Sequence, residues 1–184
     1  IYHDNKEEAY TYLNKFSSLL RMVLETDIDL KWTLKDEIAF VEQYISLENE
    51  RFHGKYNYKF IINKNVNRNL LVPKMIMQIF VENALSHGLR TKHSKCNIII
   101  NISLSGSHLK IDIADNGIGR KKASMLKTHC EGKSTGLITD FINSYNRHNK
   151  NKFGLRIMDF QPEQIETGTR VEIDIPLEFC KHKK

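Results

Sequence analysis

Four short stretches of this 184-residue chain combine residue types that specific chemistry needs. The first is Glu82-Asn83-Ala84-Leu85-Ser86-His87-Gly88, at the end of an expected helix. The side-chain carbonyl of Asn83 is a neutral oxygen donor suited to Mg²⁺, a hard cation that keeps several waters and draws its charge compensation from phosphates. His87 follows four residues later, one α-helical turn away on the same face. As plain structure, the same stretch is a helix C-terminus with a polar outer face.

The second stretch, Asp115-Asn116-Gly117-Ile118-Gly119, follows an apolar run. Asn-Gly is a common hairpin turn, but no strand follows at once, and Arg120-Lys121-Lys122 opens a basic helical stretch instead. Gly117 and Gly119 then suit close approach of the backbone to a flat ligand, where a Cβ would collide. The Asp115 carboxylate can accept a hydrogen bond from an exocyclic amine such as that of adenine. The third stretch, Gly132-Lys133-Ser134-Thr135-Gly136-Leu137, lacks the G-x-x-x-x-G-K-[ST] spacing and the preceding strand of a phosphate loop. A glycine-rich loop feeding a helix still offers N–H groups to phosphates. The fourth is Gly168-Thr169-Arg170, where the Thr169 hydroxyl can join Asp115 around a base.

These residues need elements to position them. Apolar residues at steps of three and four predict an amphipathic helix over 5–25, and Thr33-Leu34-Lys35-Asp36 reads as a capping box opening a second helix to about 52. Alternation predicts a strand over 56–62. Pro73 takes the place of a first helical residue, with Gly88 as the helix end. Strands over 97–104 and 108–114 flank Ser105-Gly106-Ser107 as an antiparallel hairpin. A basic helix to about 127, a polar loop over 128–135, a helix over 139–147, an extended run over 152–160 and a final strand over 170–176 complete the order. The fold class is therefore α+β: an antiparallel sheet with helices on one face, preceded by a helical hairpin. The expected division is a helical segment at 1–54 and an α/β domain at 55–184.

Composition bounds the rest. Apolar residues at 40% and charged residues at 27% describe a globular chain, and no apolar run reaches the ~18 residues of a membrane span. Cys96, Cys130 and Cys180 are too few and too scattered for a disulfide framework or a zinc ribbon, so a reducing, cytoplasmic setting is expected. The net charge of +6 is dispersed apart from Lys121-Lys122 and the Lys181-His182-Lys183-Lys184 tail, which favours a solvated surface over direct nucleic-acid binding. The chain starts at Ile1 without a signal sequence and reads as a fragment whose missing part lies upstream.

Taken together and in this order, the four stretches resemble the N, G1 and G2 boxes and final Gly-Thr of the Bergerat (GHKL) ATP-binding domain, and most closely that of sensor histidine kinases of the LytS type. Leu19-Leu20-Arg21, the acidic-apolar helix Asp36 to Tyr44, Leu47-Glu48 and Arg51-Phe52 are similar to that family as well. The resemblance implies a two-layer α/β sandwich holding ATP beneath a lid over about 124–135. It implies Asn83 as the Mg²⁺-binding asparagine, His87 as a position near the phosphates and Glu82 as a candidate acid. It further implies Asp115 and Thr169 beside adenine, with Gly117, Gly119, Lys121, Lys133, Gly136 and Leu137 completing the nucleotide site. Here the G2 region keeps Gly132 and Gly136 but lacks a tighter Gly-x-Gly.

The implied activity is transfer of the ATP γ-phosphoryl to a histidine upstream of this chain, in a Pro-His-Phe-type motif, and then to an aspartate of a response regulator of the LytTR type. His3 has neither flanking Pro nor Phe and is not assigned. A homodimer with an upstream membrane anchor is implied for the intact protein. The alternatives are a non-catalytic nucleotide-binding signalling module and another GHKL-type ATPase.

Overall fold

The computed structural model describes residues 13, 17, 31–89, 96–125, 133–160 and 167–181. The helix expected over 5–25 lies outside the described residues except for Leu13 and Ser17, as does most of the expected lid.

Strand β1 (Lys31–Thr33) leads directly into helix α1 (Leu34–Arg51). The N-cap of the expected capping box is present: Thr33 Oγ1 accepts from the Asp36 N–H at 3.1 Å, and Asp36 and Glu37 place acidic groups at the positive end of the helix. Leu34, Ile38, Val41 and Ile45 form its buried stripe. The turn after α1 uses left-handed backbone at His53 and Gly54, and the Asn49 amide then clamps the start of the next strand, meeting both the N–H and the carbonyl of Tyr56. The division expected at 54/55 falls in this turn, yet α1 shares one hydrophobic core with the described strands of the sheet and with the helices over 76–83 and 133–148.

Strand β2 (Tyr56–Ile62) precedes β3 (Leu71–Pro73), which pairs antiparallel with β1 in a small two-stranded sheet. Three-residue strands carry no periodicity, so this sheet is not legible in sequence. Pro73 corrects an expectation: it ends β3, and helix α2 (Ile76–Asn83) begins only after Met75. A proline at a strand end forfeits no ladder bond that a longer strand would need. The expected stop at Gly88 is also corrected, because the chain continues past α2 in a π-helical turn, Ala84–Leu89.

Strands β4 (Cys96–Ser105) and β5 (His108–Asp115) form the predicted hairpin. Helices α3 (Arg120–Met125) and α4 (Lys133–His148) follow, then β6 (Gly154–Asp159) and β7 (Thr169–Pro176). The five-stranded sheet runs β2-β4-β5-β7-β6. It is mixed rather than wholly antiparallel: β2 pairs parallel with β4, because β3, α2 and the π-helical turn form the long crossover that a parallel pair needs.

Alternation sorts the sheet into two faces. Ile98, Ile100, Ile102, Leu109, Ile111, Ile113, Ile173 and Ile175 are buried with the apolar faces of α1, α2 and α4. The opposite face carries Arg170 in a forked pair with Asp112 (3.0 and 2.6 Å), Arg156 with Glu172 (2.7 Å) and Lys110 with Asp174 (3.5 Å). The result is the expected two-layer α/β arrangement. Among the described residues no helix is long and apolar enough to cross a membrane.

Candidate functional site

The strand ladder places the second and fourth stretches together. Asp115 is the last residue of β5, the middle strand of the sheet, with Ile98 of β4 as its partner on one side and Thr169 of β7 on the other. Asp115 is 4% exposed. Its Oδ1 accepts from the Gly117 N–H at 2.8 Å, a local turn that fixes the carboxylate beside the chain leaving the sheet. Asn116 extends the clamp: its Oδ1 accepts from the Asn97 N–H at 2.8 Å, while its own N–H donates to the Asn97 carbonyl.

Packing within the chain places its own demand on two glycines at this end of the sheet. Gly119 has φ +79°, and a Cβ there would lie 1.8 Å from Thr167 Oγ1. Gly168, at φ +61°, would place a Cβ 2.2 Å from the Asp115 carbonyl oxygen. Its N–H donates to the Gly117 carbonyl at 3.1 Å. Gly168 therefore packs backbone against backbone and Gly119 packs against the Thr167 side chain, and both have left-handed φ. Gly168, absent from the expected site set, is as tightly constrained as any residue here.

The N-box stretch forms the adjoining wall. Helix α2 and the π-helical turn both lie against β5, and α3 lies against the π-helical turn. Asn83, the final α2 residue, is half-buried, whereas Glu82 is exposed. Burial is the main cause that pushes the Tyr44 phenol of α1 upward, and the Glu82 and Glu48 charges add to it, which sets Glu82 on the α1 side of its helix. His87, expected four residues beyond Asn83 on an α-helix, falls in the π-helical turn Ala84–Leu89 instead. π-helical turns recur at functional sites, where they re-aim side chains.

The residues expected beside phosphates are less enclosed. Lys121 is exposed on α3. The segment expected as a loop to residue 135 is helical from Lys133, so Gly136 and Leu137 lie inside α4 rather than before it, both exposed, Leu137 by 71%. Nothing stands within 4 Å of where a Gly136 Cβ would be. A helix of sixteen residues, Lys133–His148, takes in Lys133 to Leu137, a stronger local preference than its one interior glycine opposes. Gly132 and residues 126–131 lie outside the described residues, as do the side chains of Lys133 and His87.

Reading the sequence overlooked Glu37. It is 0% exposed on the buried stripe of α1, and reaches the start of α2. Its Oε1 accepts from the N–H groups of Met77 (2.7 Å) and Gln78 (3.3 Å), and its Oε2 from the Met75 N–H (2.9 Å) and the Trp32 indole. Met75 itself has φ +63° and gives α2 no side-chain cap. A non-glycine residue in that region is strained by roughly 1–2 kcal/mol. Burial pushes the Glu37 pKa from 4.5 to about 7, against the pull of its four donors. A lone carboxylate at a stripe position, three residues after Leu34 and one before Ile38, is the sequence signal that marks it.

The family model described as Histidine kinase matches residues 1–56. The sensor histidine kinase/phosphatase LytS of Staphylococcus aureus (strain MRSA252) is 32% identical over 182 residues, 95% of this chain and 30% of the relative. The sensor protein LytS of Bacillus anthracis is 27% identical over 176 residues, 92% of this chain and 29% of the relative. The chain thus spans about a third of the length of the curated relatives it matches. Among solved structures, the mycobacterial sensor histidine kinase MprB aligns with TM-score 0.53 at 13% identity over 79% of this chain and 95% of that one. The Acinetobacter baumannii histidine kinase AdeS aligns with TM-score 0.52 at 13% identity, over 94% of this chain and 81% of that one. Histidine kinase ThkA in complex with the response regulator TrrA aligns with TM-score 0.50 at 12% identity, over 91% and 48%. The fold is that of these histidine kinase chains.

Proposed function

Because this chain is a relative of the LytS-type sensor histidine kinases along almost its whole length, we propose that it is the ATP-binding catalytic portion of such a kinase. The observation that carries the reading is the buried Asp115 carboxylate at the end of the middle strand, facing Thr169 across the ladder and enclosed by the Gly117 and Gly168 loops. A buried acceptor beside a hydroxyl is suited to the donor edge of adenine, and the sheet end leaves the phosphates directed toward α2, α3 and the start of α4.

In this reading Asp115 takes the exocyclic amine of adenine and Thr169 supports it. Gly117 and Gly119 shape the floor, and Lys121, Lys133, Gly136 and Leu137 border the phosphates. The donor set fits Mg²⁺ held through the nucleotide: Asn83 offers a single neutral amide oxygen at the end of α2, the complement expected when phosphates and waters supply the other ligands. When bound, the ion neutralises charge on the phosphates. Glu82 and His87 flank Asn83, with Glu82 as the candidate acid. What the protein contributes is mainly position, since phosphoryl transfer asks for an in-line acceptor more than for covalent chemistry.

The phosphoryl acceptor in this proposal is a histidine on the helix preceding the 5–25 segment, and the next acceptor is an aspartate of a response regulator. Support for that partner comes from the alignment with ThkA, solved together with its response regulator. By resemblance to the LytS type, the regulator is of the LytTR class, and the intact protein is a homodimer with a membrane anchor upstream of this cytoplasmic portion. The test has two stages. Titration calorimetry of the chain with a non-hydrolysable ATP analogue should show Mg²⁺-dependent binding. The full-length protein given γ-labelled ATP should then form an acid-labile phosphohistidine and pass the label to its regulator. No binding overturns the nucleotide site; binding with hydrolysis but no phosphohistidine replaces the kinase reading with an ATPase.

A further inference from the structure

We propose that Glu37 is a positioning residue for the magnesium-nucleotide complex: from α1, it fixes the first turn of α2 and so the placement of Asn83 at the other end of that helix. The inference rests on the reading of Asn83 as the residue that meets the Mg²⁺-nucleotide.

Helix α2 has only eight residues and begins on a backbone that does not cap it. A helix N-terminus leaves its first N–H groups without intrahelical partners. Here those groups are deeply buried, with Met77 at 0% and Gln78 at 3% exposure. Their acceptor is not a neighbour in sequence but the Glu37 carboxylate, some 40 residues earlier. The same carboxylate holds the Met75 N–H at 2.9 Å, and thus the left-handed residue from which the helix starts. At a rise of ~1.5 Å per residue, Asn83 stands ~9 Å along the axis from Met77. Over that length a short helix moves as a rod. Asn83 therefore inherits its position from a side chain of α1.

The carboxylate is specifically suited to this place, because all four of its partners are donors. An amide of the same shape offers one oxygen and one NH₂, and the NH₂ must face N–H groups on one side. Glu37→Gln therefore disturbs the start of α2 while leaving the sheet end around Asp115 untouched. Binding of adenosine, which lacks phosphates, reads the sheet end alone; binding of a magnesium-loaded ATP analogue reads both.

The experiment compares the chain with its Glu37→Gln and Asp115→Asn variants at pH 8, measuring cooperative melting and the affinity for adenosine and for the magnesium-loaded analogue. Glu37→Gln is expected to weaken the magnesium-loaded analogue by about tenfold or more and adenosine by less than about threefold. Trp32→Phe removes one of the four donors and keeps a ring against Phe40, so it serves where Glu37→Gln fails to melt cooperatively; a smaller loss with the same selectivity is expected. Equal losses for both ligands, or no loss for either, in a variant that melts cooperatively would overturn the inference. Failure of the unaltered chain to bind, or an Asp115→Asn variant that binds normally, would instead overturn the nucleotide site on which it rests.

Discussion

The two sides of the candidate site are held by different forces. Asp115 and Thr169 belong to a ladder with hydrogen-bonded strands on both sides, and the loops that close over them touch backbone to backbone at Gly168 and Gly117. Asn83, Lys121 and Gly136 stand instead on helices, one of them started by a carboxylate from a distant element. Main-chain ladders leave little room for adjustment, whereas a helix pinned at one end by a side chain can shift as a unit. In the proposed reading, such a site has a fixed end for the base and an adjustable end for the phosphates.

The sharpest way to break this contrast is Gly168→Ala. The added Cβ would meet a backbone oxygen at 2.2 Å, on a residue whose φ of +61° already disfavours any side chain. Neither partner is a flexible side chain that can turn away, so a loss of about 3 kcal/mol or more in denaturant unfolding is expected, together with loss of adenine-nucleotide binding. Gly119→Ala meets the Thr167 hydroxyl, which can rotate, and should lose about 1–2 kcal/mol. If Gly168→Ala unfolds like the unaltered chain, the sheet end is not the rigid side.

Acidity should act on the other side. Glu37 has its pKa raised from 4.5 to about 7 by burial, and a group held more tightly to its proton in the folded state adds stability that is complete below its unfolded value. That contribution is lost as pH rises toward 7 and is flat above it. The amount is on the order of 3 kcal/mol. Urea unfolding between pH 4.5 and 8 should show this fall in the unaltered chain and not in Glu37→Gln. Identical pH slopes in the two proteins would remove Glu37 as the titrating link.

Asp115→Asn is expected to have a smaller effect on energy but a more selective one. Its side-chain oxygen can still accept from the Gly117 N–H, so the turn survives, while the new NH₂ opposes the amine of adenine. Loss of a charged buried acceptor is worth roughly 1.5–3 kcal/mol, or ~10–150-fold in affinity, with melting unchanged. Unaltered affinity would mean that the fixed end does not read the base.

What could be read from the sequence follows the same divide. The hairpin of β4 and β5 and the strand β7 alternate so regularly from Ile98 to Ile102 and from Val171 to Ile175 that their register, and with it the pairing of Asp115 with Thr169, is largely dictated by which face is apolar. The capping box at Thr33 is equally local. Contacts between distant segments were not legible: Glu37 reaching Met77, Gly168 against Asp115, and β1 pairing with β3 depend on tertiary placement rather than on neighbours. The start of α2 was misplaced because Pro73 is as acceptable at a strand end as at a first helical turn. The Gly132–Leu137 stretch misled because glycine suggests a loop, while the residues after it carry helical periodicity strong enough to extend α4 back to Lys133.

The gentlest test bears on that last glycine. Gly136 lies in the interior of α4, exposed, with open space where a Cβ would be and no left-handed φ. Glycine inside a helix is less stable than alanine by roughly 0.5–1 kcal/mol, so Gly136→Ala should raise stability by about that amount. This is the opposite sign from Gly168→Ala, made by the same chemical change at the other side of the site. If Gly136 is present for the nucleotide, the stabilised variant will bind the magnesium-loaded analogue more weakly while binding adenosine as before, because only the phosphates approach α4. If both ligands bind as in the unaltered chain, Gly136 is a dispensable helix residue and no part of the nucleotide site.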